Sequence, residues 1–138
     1  MKETIKAQWL NDLSFEAEVD GHKIYMDTAA EHGGKNLGPR PKLMMMVALA
    51  GCTGMDVAAI LKKMRENVEE LSVEVEGDVT EGHPKRFEGM KVIYKLKGNG
   101  INRKNVEKAV TLSSEKYCGV SANYKEAFDI THEIIIEE

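Results

Sequence analysis

Apolar residues alternate with polar ones from the start of the chain: Ile5, Ala7 and Trp9 in TIKAQWL, then Leu13, Phe15, Ala17 and Val19 in LSFEAEV. A two-residue period marks a half-buried strand, and Asn11-Asp12 between the runs is a tight-turn signal, so a β-hairpin is expected. Asp20-Gly21 is a second turn signal, and KIYMD reads as a short third strand. Residues 28–41, TAAEHGGKNLGPRP, are a glycine- and proline-rich loop, and Pro41 suits the first turn of a helix because its missing N–H is not needed there. From Leu43 to Leu61 only Thr53 and Asp56 carry polar side chains beyond the thiol of Cys52. This helix is expected to run to about Arg65 or Asn67, with KKMREN placing cations at the negative end of its dipole.

Alternation returns in LSVEVEGDV and in FEGMKVIYKLKG, with TEGHPKR between them as a turn, which predicts a second hairpin. Beyond Gly98 and Gly100, residues Val106, Ala109, Val110, Ser113 and Tyr117 fall on one stripe at helical spacing. Cys118 follows that helix directly, Gly119 suits its C-cap, and Ser121 suits the cap of a short further helix through SANYKEAF. DITHEIIIEE closes the chain as a strand. The order is β-β-β-α-β-β-α-α-β without a βαβ repeat, which predicts an α+β class with helices on antiparallel sheet.

The length of 138 residues, 42% of them hydrophobic and 30% charged, suits one globular domain, 1–138, with a real core. The net charge of -4 comes from interspersed charges with no basic stripe, which argues against nucleic acid. MKETIKAQWL lacks the apolar segment of a secretory signal, so a cytoplasmic location is expected. The apolar helix has nearly the length of a membrane span, but Gly51, Thr53, Gly54 and Asp56 lie at its centre, where polar groups cost most, so no membrane is expected.

A helix apolar on every face must be surrounded, and one other substantial helix and about six short strands are too little to do it. A second copy supplies the missing walls most simply, so an obligate homodimer is expected with this helix near its centre. Eight methionines, three of them at 44–46, fit the irregular gaps between such helices.

The chemistry rests on two cysteines. Cys52 among Ala50, Gly51 and Gly54 has an ordinary reading as a small buried hydrophobe. Cys118, at a helix end where the backbone opens toward solvent or a cleft, is the better candidate for a reactive thiol. A reading that joins them has one thiolate attack a peroxide O–O bond and the other capture the sulfenic acid as a disulfide. The attacking thiol then needs a facing cation or hydrogen-bond donor, since an apolar helix interior raises its pKa, and Arg40 and Lys42 at the mouth of the helix are the candidate cations. Asp56 shares the face of Cys52 one turn on and is expected to be structural, and Glu115 and Lys116 are expected to be solvated. His22, His32, His83 and His132 show no metal-ligand spacing, so neither a metal nor a cofactor is expected. No P-loop, dinucleotide-binding or nucleophile-elbow motif occurs.

GPRP, LAGCTGMDV, HPKRFEGMKVIYKLKG and SSEKYCGVSA, in this order and at these separations, resemble the OsmC/Ohr family of thiol peroxidases, most closely its YhfA-like branch. The resemblance spans essentially the whole chain. It implies an intertwined homodimer in which antiparallel sheets wrap around paired central helices, with active sites at the subunit interface. It implies that Cys52 is the peroxidatic and Cys118 the resolving cysteine, that organic hydroperoxides are preferred over hydrogen peroxide, and that a dithiol such as a lipoylated protein is the reductant. The family's Glu shortly after the second Pro of G-P-x-P is missing, since Pro41 is followed by Lys42 and Leu43. No Arg occurs in residues 1–39, where the best-known members carry theirs, which leaves Arg40 as the substitute. The alternative is a dimer of the same fold that binds a small molecule or senses redox state without catalysis. A Cys52 pKa well below the free-thiol value of about 8.5 favours the enzyme, and a raised one the binder.

Overall fold

The hydrophobic alternation of the first residues becomes a three-stranded antiparallel sheet of β1 (Ala7–Asn11), β2 (Ser14–Val19) and β3 (His22–Met26), in that spatial order. The computed structural model describes all residues, 1–138, and divides them into two compact units, Met1–Met45 and Met46–Glu138. In the first unit both hairpin turns use left-handed backbone, at Asp12 (φ 48°) and at Asp20-Gly21 (φ 51° and 79°). Trp9 Nε1 closes the first turn on the Asp12 carbonyl at 2.8 Å. The face expected to point inward leaves Ile5 and Trp9 60% and 57% exposed, because a lone three-stranded sheet has nothing of its own to lay across them.

Asp27, expected to end the third strand, instead organises the loop after it. Its carboxylate is buried and accepts hydrogen bonds from Ser14 Oγ (2.7 Å) and from the amides of Thr28 (2.7 Å), Lys35 (3.2 Å) and Leu37 (3.2 Å). Gly34 and Gly38 permit the close winding, since a β-carbon on either would collide with the carbonyl oxygen of Thr28 or of Tyr25. The Ser14 hydroxyl, ahead of the amides, holds the Asp27 carboxyl down to about 2, from 3.8. A carboxyl whose pKa is depressed on folding adds stability that is complete above 3.8 and lost as the pH falls toward 2. Acid titration of the folded protein followed by circular dichroism is therefore expected to show a loss of stability across this window, absent in Asp27→Asn, whose stability is lower and flatter there.

The second unit takes in α1 (Pro41–Lys63) from Met46 onward, with β4 (Glu70–Val79), β5 (Phe87–Lys97), α2 (Arg103–Leu112), α3 (Gly119–Lys125) and β6 (Asp129–Glu137). Period-two alternation produces rows of side chains across β4, β5 and β6: Leu71, Leu96 and Ile136; Val73, Tyr94 and Ile134; Gly77, Met90 and Ile130. α1 buries Leu49, Thr53, Val57 and Leu61, one residue per turn, and Gly54 lets the helix approach Val73, whose Cγ2 would stand 3.2 Å from an added β-carbon. The rest of α1 is open in the single chain, with Val47 58% and Met55 75% exposed, so the all-round burial expected of this helix is not supplied within one copy. By length and hydropathy α1 also meets the criterion for a membrane span, as core helices of soluble proteins do.

The expected second hairpin is the antiparallel pair of β4 and β5, but β6 runs parallel to β5, so this sheet is mixed and not antiparallel throughout. A hairpin reverses the chain, whereas the helical connection from α2 through α3 carries it back to the end of the sheet at which β5 began. At the start of α2, Asn102 Oδ1 accepts from the Lys104 amide at 2.9 Å. Glu66 accepts from the Asn102 amide (3.0 Å) and from Asn105 Nδ2 (2.6 Å), tying the segment that follows α1 to this start.

Candidate functional site

Cys52 lies midway along α1, and Asp56 follows one helical turn later on the same face. Cys118 is brought to them by a local defect in helical winding. α2 continues past Leu112 into one wide turn, Ser113–Tyr117, which closes with an i to i+5 bond from the Cys118 amide to the Ser113 carbonyl at 2.8 Å. Such π turns insert one residue into the 3.6-residue period, and they cluster at functional sites. The shift buries Ser113 and Cys118 and turns Tyr117 outward to 54% exposure, against the expectation that Tyr117 continues the buried stripe. Lys125 holds the wide turn, donating to the Ser114 carbonyl (2.7 Å) and hydroxyl (2.8 Å) with Glu115 at 3.6 Å.

The result is a compact group in which a ligand atom from each of Cys52, Asp56 and Cys118 lies within 4.8 Å of the others. Both cysteines are free thiols. Ser113 Oγ donates to Asp56 Oδ2 at 2.9 Å, which gives Asp56 the structural partner its position suggested. Cys118, and not Ser121, caps α3: its Sγ accepts from the Ser121 amide at 3.2 Å. Gly119 opens α3 where the expectation had it closing the preceding helix. Tyr94, from the middle of β5, is buried, and burial pushes its hydroxyl up from 10.0.

The exposures of the two thiols are the reverse of what the pattern suggested: Cys118 is 3% exposed, while Cys52 is half-buried. Burial, then the hydrogen bond with Cys118, pushes the Cys52 thiol up from 9.0, the Asp56 charge adds to this, and only the Val120 amide opposes it. No cation stands among these groups. In the reduced single chain, alkylation of Cys52 by iodoacetamide is therefore expected to keep accelerating at pH values where an unhindered thiol has levelled off; a plateau below pH 9.0 would contradict this environment.

Arg40 lies in the first unit, directly before α1, where its carbonyl accepts from the Leu43 amide at 3.2 Å. It borders a cleft with Glu31 and His32. The Ser121 amide at Cys118 was not anticipated from the sequence, because any residue carries an amide and only the fold aims this one at sulfur. Ser113 had a partial signal in its place on the stripe of α2.

A model of the OsmC-like protein family matches residues 33–133. The chain belongs to the OsmC-like family. Within it, this chain is 34% identical to protein YhfA of Escherichia coli K12 over 128 residues, 92% of each chain. A hypothetical protein from Aquifex aeolicus VF5 has a similar structure, at TM-score 0.86 and 27% identity over 99% of this chain and 97% of that one. The organic hydroperoxide resistance protein OsmC of Legionella pneumophila shares the fold at TM-score 0.66 and 19% identity, over 98% and 97%.

Proposed function

We propose that this OsmC-like chain is a thiol peroxidase for organic hydroperoxides, with Cys52 as the attacking and Cys118 as the resolving cysteine. The observation that carries this is the approach of the two sulfurs, from segments 66 residues apart, to within 4.8 Å, with the Ser121 amide donating to Cys118. Family membership and the described role of the Legionella pneumophila relative support it. In the first step the Cys52 thiolate attacks one peroxide oxygen, the O–O bond breaks, and the departing alkoxide takes a proton to leave as an alcohol. Cys52 is then a sulfenic acid. Cys118 attacks that sulfur, hydroxide leaves as water, and a disulfide forms. A dithiol of the lipoyl type returns two electrons by thiol–disulfide exchange.

In this reading Arg40 supplies the cation that favours the Cys52 thiolate in place of the family's N-terminal Arg and its Glu. In the proposed homodimer the acting guanidinium is that of a second copy, so the dimer is part of the proposal. The apolar side chains that α1 leaves open, Val47 and Met55 foremost, support such a dimer. Both units are then parts of one OsmC-like domain, and the chain works in the cytoplasm, where reducing conditions regenerate its thiols.

The upward shift of Cys52 with no facing cation favours one second reading, a non-enzymatic dimer that binds a small molecule or senses redox state through slow thiols. The two are separated by mixing anaerobically reduced protein with tert-butyl hydroperoxide or hydrogen peroxide and counting free thiols with time. Rapid loss of two thiols per chain, faster with the organic peroxide, is expected. Thiols that persist for many minutes at excess peroxide would overturn the enzymatic reading.

A further inference from the structure

We propose that the reduced Cys52, Asp56 and Cys118 group is a binding site for a thiophilic divalent cation, Zn2+ in the first place. Two sulfurs and a carboxylate oxygen within 4.8 Å of one another form a mixed donor set, contributed by two segments that the fold brings together. Around a tetrahedral Zn2+, with Zn–S near 2.3 Å and Zn–O near 2.1 Å, such donors stand about 3.5–3.8 Å apart. Thiolates select Zn2+ over Mg2+ and Ca2+, which require oxygen shells.

The surroundings suit ligands better than they suit a bare thiol pair. Ser113 holds Asp56 Oδ2 at 2.9 Å and so orients the carboxylate, leaving its other oxygen for an ion. The Ser121 amide donates to the Cys118 sulfur at 3.2 Å, which is how backbone stabilises a metal-bound thiolate without adding a competing ligand. Three protein donors leave the fourth position open to water or a small thiol. Binding is not a redox step: Zn2+ takes the place of two thiol protons, which pass to the buffer, and both sulfurs stay at the thiolate level. Where the proposed peroxide chemistry also holds, metal and peroxide exclude each other, since both use the same sulfur electron pairs.

The test uses the reduced full-length chain without peroxide, so that failure of the peroxidase reading leaves it intact. ZnCl2 is titrated against a chromogenic chelator, and Co2+ is added separately to look for thiolate-to-cobalt charge-transfer absorption. One ion per chain is expected, with binding lost in Cys52→Ser and Cys118→Ser. Ser113→Ala, which keeps all three donors, is expected to weaken binding about tenfold or more. In the unsubstituted chain Zn2+ is expected to protect both thiols from alkylation, and EDTA to restore their reaction, which tests the site even where a cysteine variant does not fold. Absence of a bound ion, binding undiminished in Cys52→Ser, or equal alkylation with and without Zn2+ would each overturn the site.

Discussion

Cys52→Ser is expected to abolish peroxide consumption, lowering the rate by at least about a thousandfold, the scale on which an enzyme responds to loss of its nucleophile. A serine hydroxyl in this position has no base beside it to make it an attacking group, and Asp56 is already engaged by Ser113. Cys118→Ser has a different outcome. The first step survives, but the Cys52 sulfenic acid has no resolving thiol, so excess peroxide drives it to sulfinic and sulfonic acid. Intact mass and free-thiol counts on both variants distinguish the roles. Equal protection of the remaining thiol in both variants would mean that the roles are shared or absent. A Cys118→Ser chain that still turned over with a dithiol reductant would assign resolution to the reductant itself.

Leu49→Ala carries the largest expected effect on stability. Leu49 has no exposed surface and stands on the buried stripe of α1 with Thr53, Val57 and Leu61. Truncation removes its transfer free energy and leaves a cavity, for a loss of about 2–5 kcal/mol by urea denaturation. The loss is purely one of packing, since the bond from Thr53 Oγ1 to the Leu49 carbonyl, at 2.8 Å, involves only backbone at position 49. Met55→Ala, on the opposite face and 75% exposed in one chain, is the informative partner. Where α1 stays open, the change is within about 0.5 kcal/mol. Where a second copy covers α1, as the proposed dimer requires, it costs about 2–5 kcal/mol, makes stability depend on protein concentration, and shifts the population toward monomer in sedimentation.

The glycine-bearing family motifs and the strand alternation were readable because they are local. A two-residue period needs only its own neighbours to declare a face, and the six strands stand where the alternation put them, to within a few residues. The partner of β6 was not readable in this way. Its direction depends on how a long helical connection returns to the sheet, and no residue within DITHEIIIE encodes that. Asp27 likewise looked like a strand end, because four donors from Ser14 and the following loop meet it only after the chain has turned.

By itself the sequence determined the α+β class, the order of elements, the one unusually apolar helix and the two thiols at issue, all of them properties of spacing and residue type. Tertiary structure alone decided that Cys118 is the more buried thiol, that Asp56 and the Ser121 amide join the pair, and that α1 keeps an open face in the single chain. The physical reason lies in the wide turn at Ser113–Tyr117. One inserted residue rotates everything after it relative to α2, and whether that insertion forms depends on Ser113 meeting Asp56 and Lys125 meeting Ser114, contacts between residues 57 and 11 positions apart.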